Sequence, residues 1–326
     1  MSRVLVTGAA GFIGSHLTQR LVEDGHRVRV FVRYNSQNNW GWLDVLPPSV
    51  IREIEVHRGD LKDPEAVRKA VEGIDVIYHL AALISIPYSY VNPLDLVQTN
   101  VLGTANVLNA CLSSKSLVKL VHTSTSEVYG SALFTPITEE HPLQAQSPYS
   151  ASKIAADKLA ESYHRSFGLP VATIRPFNTF GPRQSSRAII PSLIVQALRG
   201  ETVRVGSLDP IRDFCFVADT VSGFLAVASA EGSAGRVLNI GTGTGIAIGQ
   251  LVQTILKMLG SKAEVVVEQS RRRPERSEVM ELVCDASRAK AVAGWTAGVS
   301  LDAGLRETIA WMRENQQRYK PDIYNF

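Results

Sequence analysis

Cysteine is scarce in this chain. Its only three, Cys111, Cys215 and Cys284, lie far apart with no Cys-x-x-Cys, so reduced, structural thiols are expected rather than a disulfide framework or a zinc site. No apolar run approaches the length of a membrane span, and the start Met1-Ser2-Arg3-Val4-Leu5-Val6 has no signal-peptide pattern. A cytoplasmic protein with no membrane partner is therefore expected. An excess of one charge is missing too: 34 Lys and Arg against 31 Asp and Glu leave a net charge of +3, too small to argue for nucleic acid. Arg271-Arg272-Arg273 with Arg276 forms a local basic knot, but no basic stripe or aromatic interleaving continues it. The seven histidines are scattered, so no metal centre is expected.

What is present is ample apolar material. At 326 residues and 45% hydrophobic, the chain can bury one large core or two smaller ones, and its length favours two domains. Arg3 to Thr7 alternate into a short apolar strand. Gly8-Ala9-Ala10-Gly11-Phe12-Ile13-Gly14 then opens a helix that runs to about Asp24, and Val28-Arg29-Val30-Phe31-Val32 supplies a second strand. Glycines at 8, 11 and 14 suit a tight turn, a close backbone approach to a pyrophosphate and close helix-on-strand packing, with the helix N-terminus facing the phosphates. The strand-turn-helix-strand order makes dinucleotide binding a better reading than a plain connector.

A second pattern is Ser147-Pro148-Tyr149-Ser150-Ala151-Ser152-Lys153. On a helix, Tyr149 and Lys153 share a face. In a partly buried site an ammonium beside a phenol favours the phenolate, which can take a proton from an alcohol as hydride leaves the same carbon. The spacing alone also fits an aromatic ring packed on a lysine stem.

Together, Gly-x-x-Gly-x-x-Gly and Tyr-x-x-x-Lys resemble the extended short-chain dehydrogenase/reductase family, over nearly the whole chain. The resemblance implies an α/β fold: a doubly wound parallel (Rossmann) sheet over residues 1–176, with returning segments at about 217–240, and a smaller, discontinuous substrate-binding region mainly within 177–326. It implies a tightly bound NAD or NADP held by Gly8, Gly11, Phe12, Ile13, Gly14, Arg33, Asp60, Leu61, Ala81, Ala82 and Asn100 together with Tyr149 and Lys153. Many NAD-using members end the second strand on an acid; here Val32-Arg33 stands instead, so Arg33 is expected to favour the 2′-phosphate of NADP. Thr125 is expected to hydrogen-bond the reacting oxygen beside Tyr149, and Asn100 to steady the site from a long helix beginning near Pro93. The helices at 94–113 and 150–167 resemble those through which relatives form homodimers.

Arg175-Pro176-Phe177-Asn178-Thr179-Phe180-Gly181-Pro182-Arg183 resembles the signature of the nucleotide-sugar branch, in which the asparagine meets the substrate diphosphate. Ile211-Arg212-Asp213-Phe214 and Arg273-Pro274-Glu275-Arg276 resemble further branch motifs, so Asn178, Arg183, Arg212 and Arg273 are the substrate-binding candidates. Glu275 and Arg276 depart from the usual Gly-Asp, which leaves the nucleoside base open. By resemblance the shared first step oxidises sugar C4, and Glu127 is placed as a base at C5 with Ser126 or Thr125 as proton relay. This implies a nucleotide-sugar 4,6-dehydratase acting on a nucleotide-linked glucose or N-acetylglucosamine. Trp40-Gly41-Trp42-Leu43-Asp44 and Thr125-Ser126-Glu127 resemble most the dehydratases of the legionaminic acid pathway. A 4-epimerase, a UDP-glucuronate decarboxylase and a non-catalytic cofactor-sensing protein stay open as alternatives.

Overall fold

The computed structural model describes residues 1–200 and 202–319. Its strands, in chain order, are β1 Arg3–Thr7, β2 Arg27–Val32, β3 Ile54–Arg58, β4 Val76–His79, β5 Lys119–Thr123, β6 Val171–Pro176, β7 Asn178–Phe180, β8 Thr202–Val205, β9 Ile211–Phe216, β10 Val237–Ile240, β11 Gly245–Ala247, β12 Glu264–Val267 and β13 Glu281–Leu282. Seven form one sheet in the order β10-β6-β5-β4-β1-β2-β3, every pair parallel. Parallel neighbours need crossovers, and helices supply them on both faces. That is why β1 reads as a continuous apolar run. Val4 and Val6 belong to one buried cluster and Leu5 to another on the opposite face.

The strand order turns at β1, which pairs with β2 on one side and β4 on the other. Open α/β sheets take ligands at such a switch point, beyond the carboxyl ends of the strands. A smaller sheet is built around β9, which pairs with β7 and β13 in parallel and β11 antiparallel; β8 and β12 pair separately. Between them β10 returns to the large sheet beside β6, so the smaller region is discontinuous in sequence. Among the described residues, no helix is long and apolar enough to cross a membrane, and Cys111, Cys215 and Cys284 are free and buried.

Two helices bear on the site. Pro148–Phe167 starts with a capping box in which Ser147 and Ser150 satisfy each other's backbone N–H at 3.1 and 3.0 Å, and it stops at Gly168, in the left-handed region at φ +67°. The single helix expected from Pro93 is instead α-helical over Pro93–Leu96, π-helical over Val97–Leu102 and α-helical again over Gly103–Leu112. Nothing in apolar periodicity marks such a stretch; it accompanies the inward turn of Asn100, a polar side chain only 1% exposed.

Candidate active site

The glycine turn lies at the switch point. Gly8 is left-handed (φ +73°), and a Cβ there would meet the Ala81 nitrogen at 2.7 Å, so the ends of β1 and β4 touch through bare backbone. A Cβ on Gly14 would sit 2.2 Å from the Gly8 carbonyl oxygen, which forces glycine at the helix-strand contact. Gly11 is different. It is exposed, and a Cβ there would meet only the Gly8 oxygen, at 3.1 Å. It caps the Phe12–Glu23 helix without any side-chain hydrogen bond, which leaves the first-turn amides, Phe12, Ile13 and Gly14 among them, without intrahelical acceptors. An open, glycine-lined helix N-terminus of this kind fits a pyrophosphate.

The floor of this crevice is wired to the catalytic helix. Ala81 N–H donates to Thr7 Oγ1, which contacts His79 Nδ1 at 2.8 Å, while His79 Nε2 lies 3.1 Å from Thr104 Oγ1. Because the Thr104 hydroxyl donates its proton to the Asn100 carbonyl at 2.6 Å, His79 must carry its proton on Nε2. Burial first, with the charges around it, holds this histidine well below its ordinary pKa and hence neutral. Asn100 accepts from Leu83 N–H and donates to Leu83 O and Ser152 Oγ, within 2.8–2.9 Å. Ser152 in turn donates to the Tyr149 carbonyl.

Tyr149 is 6% exposed and Lys153 4%. Burial is the main reason the Tyr149 phenol titrates above its ordinary range; the Glu127 and Asp157 charges push the same way, and a hydrogen bond with Thr125 pulls against them. Lys153 Nζ donates to the Thr123 carbonyl at 2.6 Å, and burial lowers its pKa to about 8 against the opposing pull of Asp157. Thr125 caps the Ser126–Tyr129 turn by accepting from Glu127 N–H at 3.2 Å, which sets Thr125 and Glu127 beside each other; Ser126 is buried.

Glu127 is engaged. Arg273 donates to its two carboxylate oxygens at 3.4–3.5 Å, so one of the candidate diphosphate arginines grips the candidate base. Arg212, on β9, lies 3.5 Å from Glu278. Asn178 is the register partner of Phe214, and the two-residue alternation puts Arg212 on the same face as Phe214. The buried Asn178 Oδ1 has no hydrogen-bond partner among the described residues.

Three expected positions also make contacts within the protein. Arg183 donates to Gln19 Oε1 at 2.7 Å and Ser15 Oγ at 3.4 Å. Its backbone is left-handed at φ +67°, and the two contacts tie the substrate region to the Phe12–Glu23 helix. Leu61 is 5% exposed and packs in the core against Gly103. Asp60 accepts from Lys62 N–H, a turn role, and its other oxygen lies 3.8 Å from Arg33 Nε. That leaves Arg33 paired, though loosely: its side chain is 77% exposed.

Residues 5–308 match the family model described as GDP-mannose 4,6 dehydratase. The chain belongs to this family. The GDP-mannose 4,6-dehydratase family is a branch of the extended short-chain dehydrogenase/reductases, and the chain is an NAD(P)-dependent enzyme of its nucleotide-sugar dehydratase and epimerase class. It is 34% identical to a dTDP-glucose 4,6-dehydratase of Streptomyces griseus, covering 98% of this chain and 97% of that one. It is 32% identical to UDP-glucuronic acid decarboxylase 1 of Xenopus tropicalis, covering 99% and 75%. The dTDP-glucose 4,6-dehydratase structure of Streptomyces venezuelae, solved with NAD, superposes with a TM-score of 0.85 at 30% identity over 98% and 99% of the two chains. A Thermotoga maritima UDP-glucose 4-epimerase with UDP-glucose gives 0.87 at 28% identity over 96% and 99%. Dehydratase, decarboxylase and epimerase thus share one scaffold.

For a family member, the notable residues outside the expected set lie behind Lys153. Asp157, one helical turn on, accepts from His122 Nε2, Ser124 Oγ and both Nε and Nη2 of Arg175 at 2.8–3.2 Å. Arg175 Nη1 donates to Tyr129 OH, which donates to Asn239 Oδ1. The Lys-x-x-x-Asp spacing is the signal in the sequence that points to Asp157.

Proposed function

We propose that the protein is a nucleotide-sugar 4,6-dehydratase whose substrate is a nucleotide-linked glucose or N-acetylglucosamine. The supporting observation is the place of Glu127: a half-buried carboxylate adjoining Thr125, close enough to bias the Tyr149 phenol. A 4-epimerase needs no base there; a dehydratase does. Residues 40–44 and 125–127, which resemble the legionaminic acid pathway dehydratases, favour the N-acetylglucosamine substrate.

When bound, NAD(P) accepts hydride from C4 and returns it to C6. Tyr149 receives the C4 hydroxyl proton, with Lys153 favouring its ionised form while the ammonium keeps its charge. Thr125 holds the reacting oxygen. The C4 ketone acidifies C5–H, Glu127 removes that proton, and Ser126 or Thr125 relays a proton to the departing C6 hydroxyl. Asn178, Arg212 and Arg273 hold the diphosphate; two arginines suit its charge of about two, since each charge-assisted contact contributes only a few kcal/mol.

Turnover in deuterated water tests this reading. Deuterium at C5 of a 6-deoxy-4-keto product is expected, and a C4 epimer without exchange, or a pentose product, would replace it with the epimerase or decarboxylase reading. The enzyme is also proposed to be a homodimer, because Val91, Leu94, Val97 and Leu102 stand 44–71% exposed along 91–102. Light scattering on Leu94→Glu should then report monomers.

A further inference from the structure

Both arginines proposed for the diphosphate are already occupied. Arg273 holds Glu127, and Arg212, besides donating to Ile211 O at 3.0 Å, lies 3.5 Å from Glu278 with 7% and 19% of the two side chains exposed. The two pairs form one cluster, since Arg212 and Arg273 both feel Glu127 and Glu278. Glu278 is held in place. Its Oε1 accepts from Val279 N–H at 3.2 Å, and its neighbour Ser277 donates to the Gln146 carbonyl at 2.6 Å while accepting from Tyr90 OH. Two arginines against two carboxylates give a balanced cluster, and a dianion entering it must displace carboxylates to find unpaired cations.

We infer that Glu278 is an internal stand-in for the substrate diphosphate at Arg212, released when the diphosphate binds. The inference rests on the reading that Arg212 holds the diphosphate. The same displacement at Arg273 releases Glu127, so the base is free only when the correct anion is seated. A monophosphate, one phosphate group shorter, reaches one arginine and leaves the other paired.

Calorimetric titration of the cofactor-loaded enzyme with UDP, dTDP and GDP, and with the matching monophosphates, tests this. Glu278→Gln should bind the accepted diphosphate about tenfold more tightly, with a smaller gain for the monophosphate, because a desolvated competitor has been removed. In an Arg212→Gln background, Glu278→Gln should change nothing. A carboxylate that merely supported the loop would weaken binding when replaced. Unchanged or weaker binding by Glu278→Gln, with Arg212→Gln still impaired, overturns the inference and leaves the diphosphate reading standing; undiminished binding by Arg212→Gln overturns both. Glu278→Asp, which keeps the charge and shortens the reach to Arg212, should also gain affinity, and it serves as the test if the glutamine variant does not fold.

Discussion

Asp157→Asn separates the electrostatic role of the buried network from its structural one. Asp157 is 4% exposed; burial opposes its charge, but His122, Arg175 and Ser124 together hold its carboxyl below the usual range. Asparagine keeps an acceptor for Ser124 and loses the charge. Lys153 sits one helical turn away with a pKa of about 8, lowered by burial and supported by Asp157. At charge separations of about 6–8 Å and an effective dielectric near 20, the lost attraction is roughly 2–3 kcal/mol, about two pKa units. The basic limb of the kcat/KM profile, expected near pH 8 as Lys153 loses its proton, should therefore move to about pH 6. Stability should also fall, by about 3–5 kcal/mol in urea unfolding, because Arg175 is left buried without its counter-ion. Tyr129→Phe is the control. It removes the 3.0 Å contact to Arg175 and should lower stability without moving the limb. A basic limb at the wild-type pH in Asp157→Asn, in an enzyme shown to be destabilised, would refute the assignment of Asp157 as the group that keeps Lys153 charged.

Other perturbations separate fold from site. Gly14→Ala drives a Cβ to 2.2 Å from the Gly8 oxygen and should cost about 1–3 kcal/mol of stability along with dinucleotide affinity, whereas Gly11→Ala should spare stability and still weaken NAD binding by fluorescence titration. Asn100→Ala strands the Leu83 N–H and C=O and frees Ser152, so about 1–3 kcal/mol and most of kcat should be lost. Arg33→Ala should raise the Kd for NADP and leave that for NAD unchanged; equal effects on both would remove Arg33 from phosphate recognition. Lys153→Met should be more stable than wild type below pH 8. Because the Lys153 pKa of about 8 lies below the ordinary 10.5, the unfolded wild-type chain holds more protons between these values, so wild-type stability rises with pH there and the advantage of the variant shrinks.

The parts of this molecule written in local pattern are legible in the amino-acid sequence. The apolar strands, the glycine turn and the phenol and ammonium on one helix face each follow from spacing over a few residues. Pairing across the chain is not legible in that way. Glu127 and Arg273 are 146 positions apart, and no spacing rule says that the proposed base and the proposed anion-binding arginine meet. Arg183 donates to Gln19, 164 positions away, a contact no motif announces. Arg33 and Asp60 end neighbouring strands, so their meeting follows from strand order and not from either motif. The depth at which the Tyr149 phenol is buried, which raises its pKa, is a tertiary property that no local spacing carries.

The π-helical stretch at Val97–Leu102 has a bearing on how this chain can vary in length. A π turn holds about one residue more than an α turn. Deleting one residue just before Asn100 would let the segment relax into an ordinary helix and swing that side chain about 100° around the axis. Hydrogen bonds to Leu83 and Ser152 would be broken in a protein whose sheet and apolar clusters were untouched. Single-residue indels in this window should thus yield chains that fold, bury their cores and lack turnover, while exposed loops of the same protein absorb them without effect.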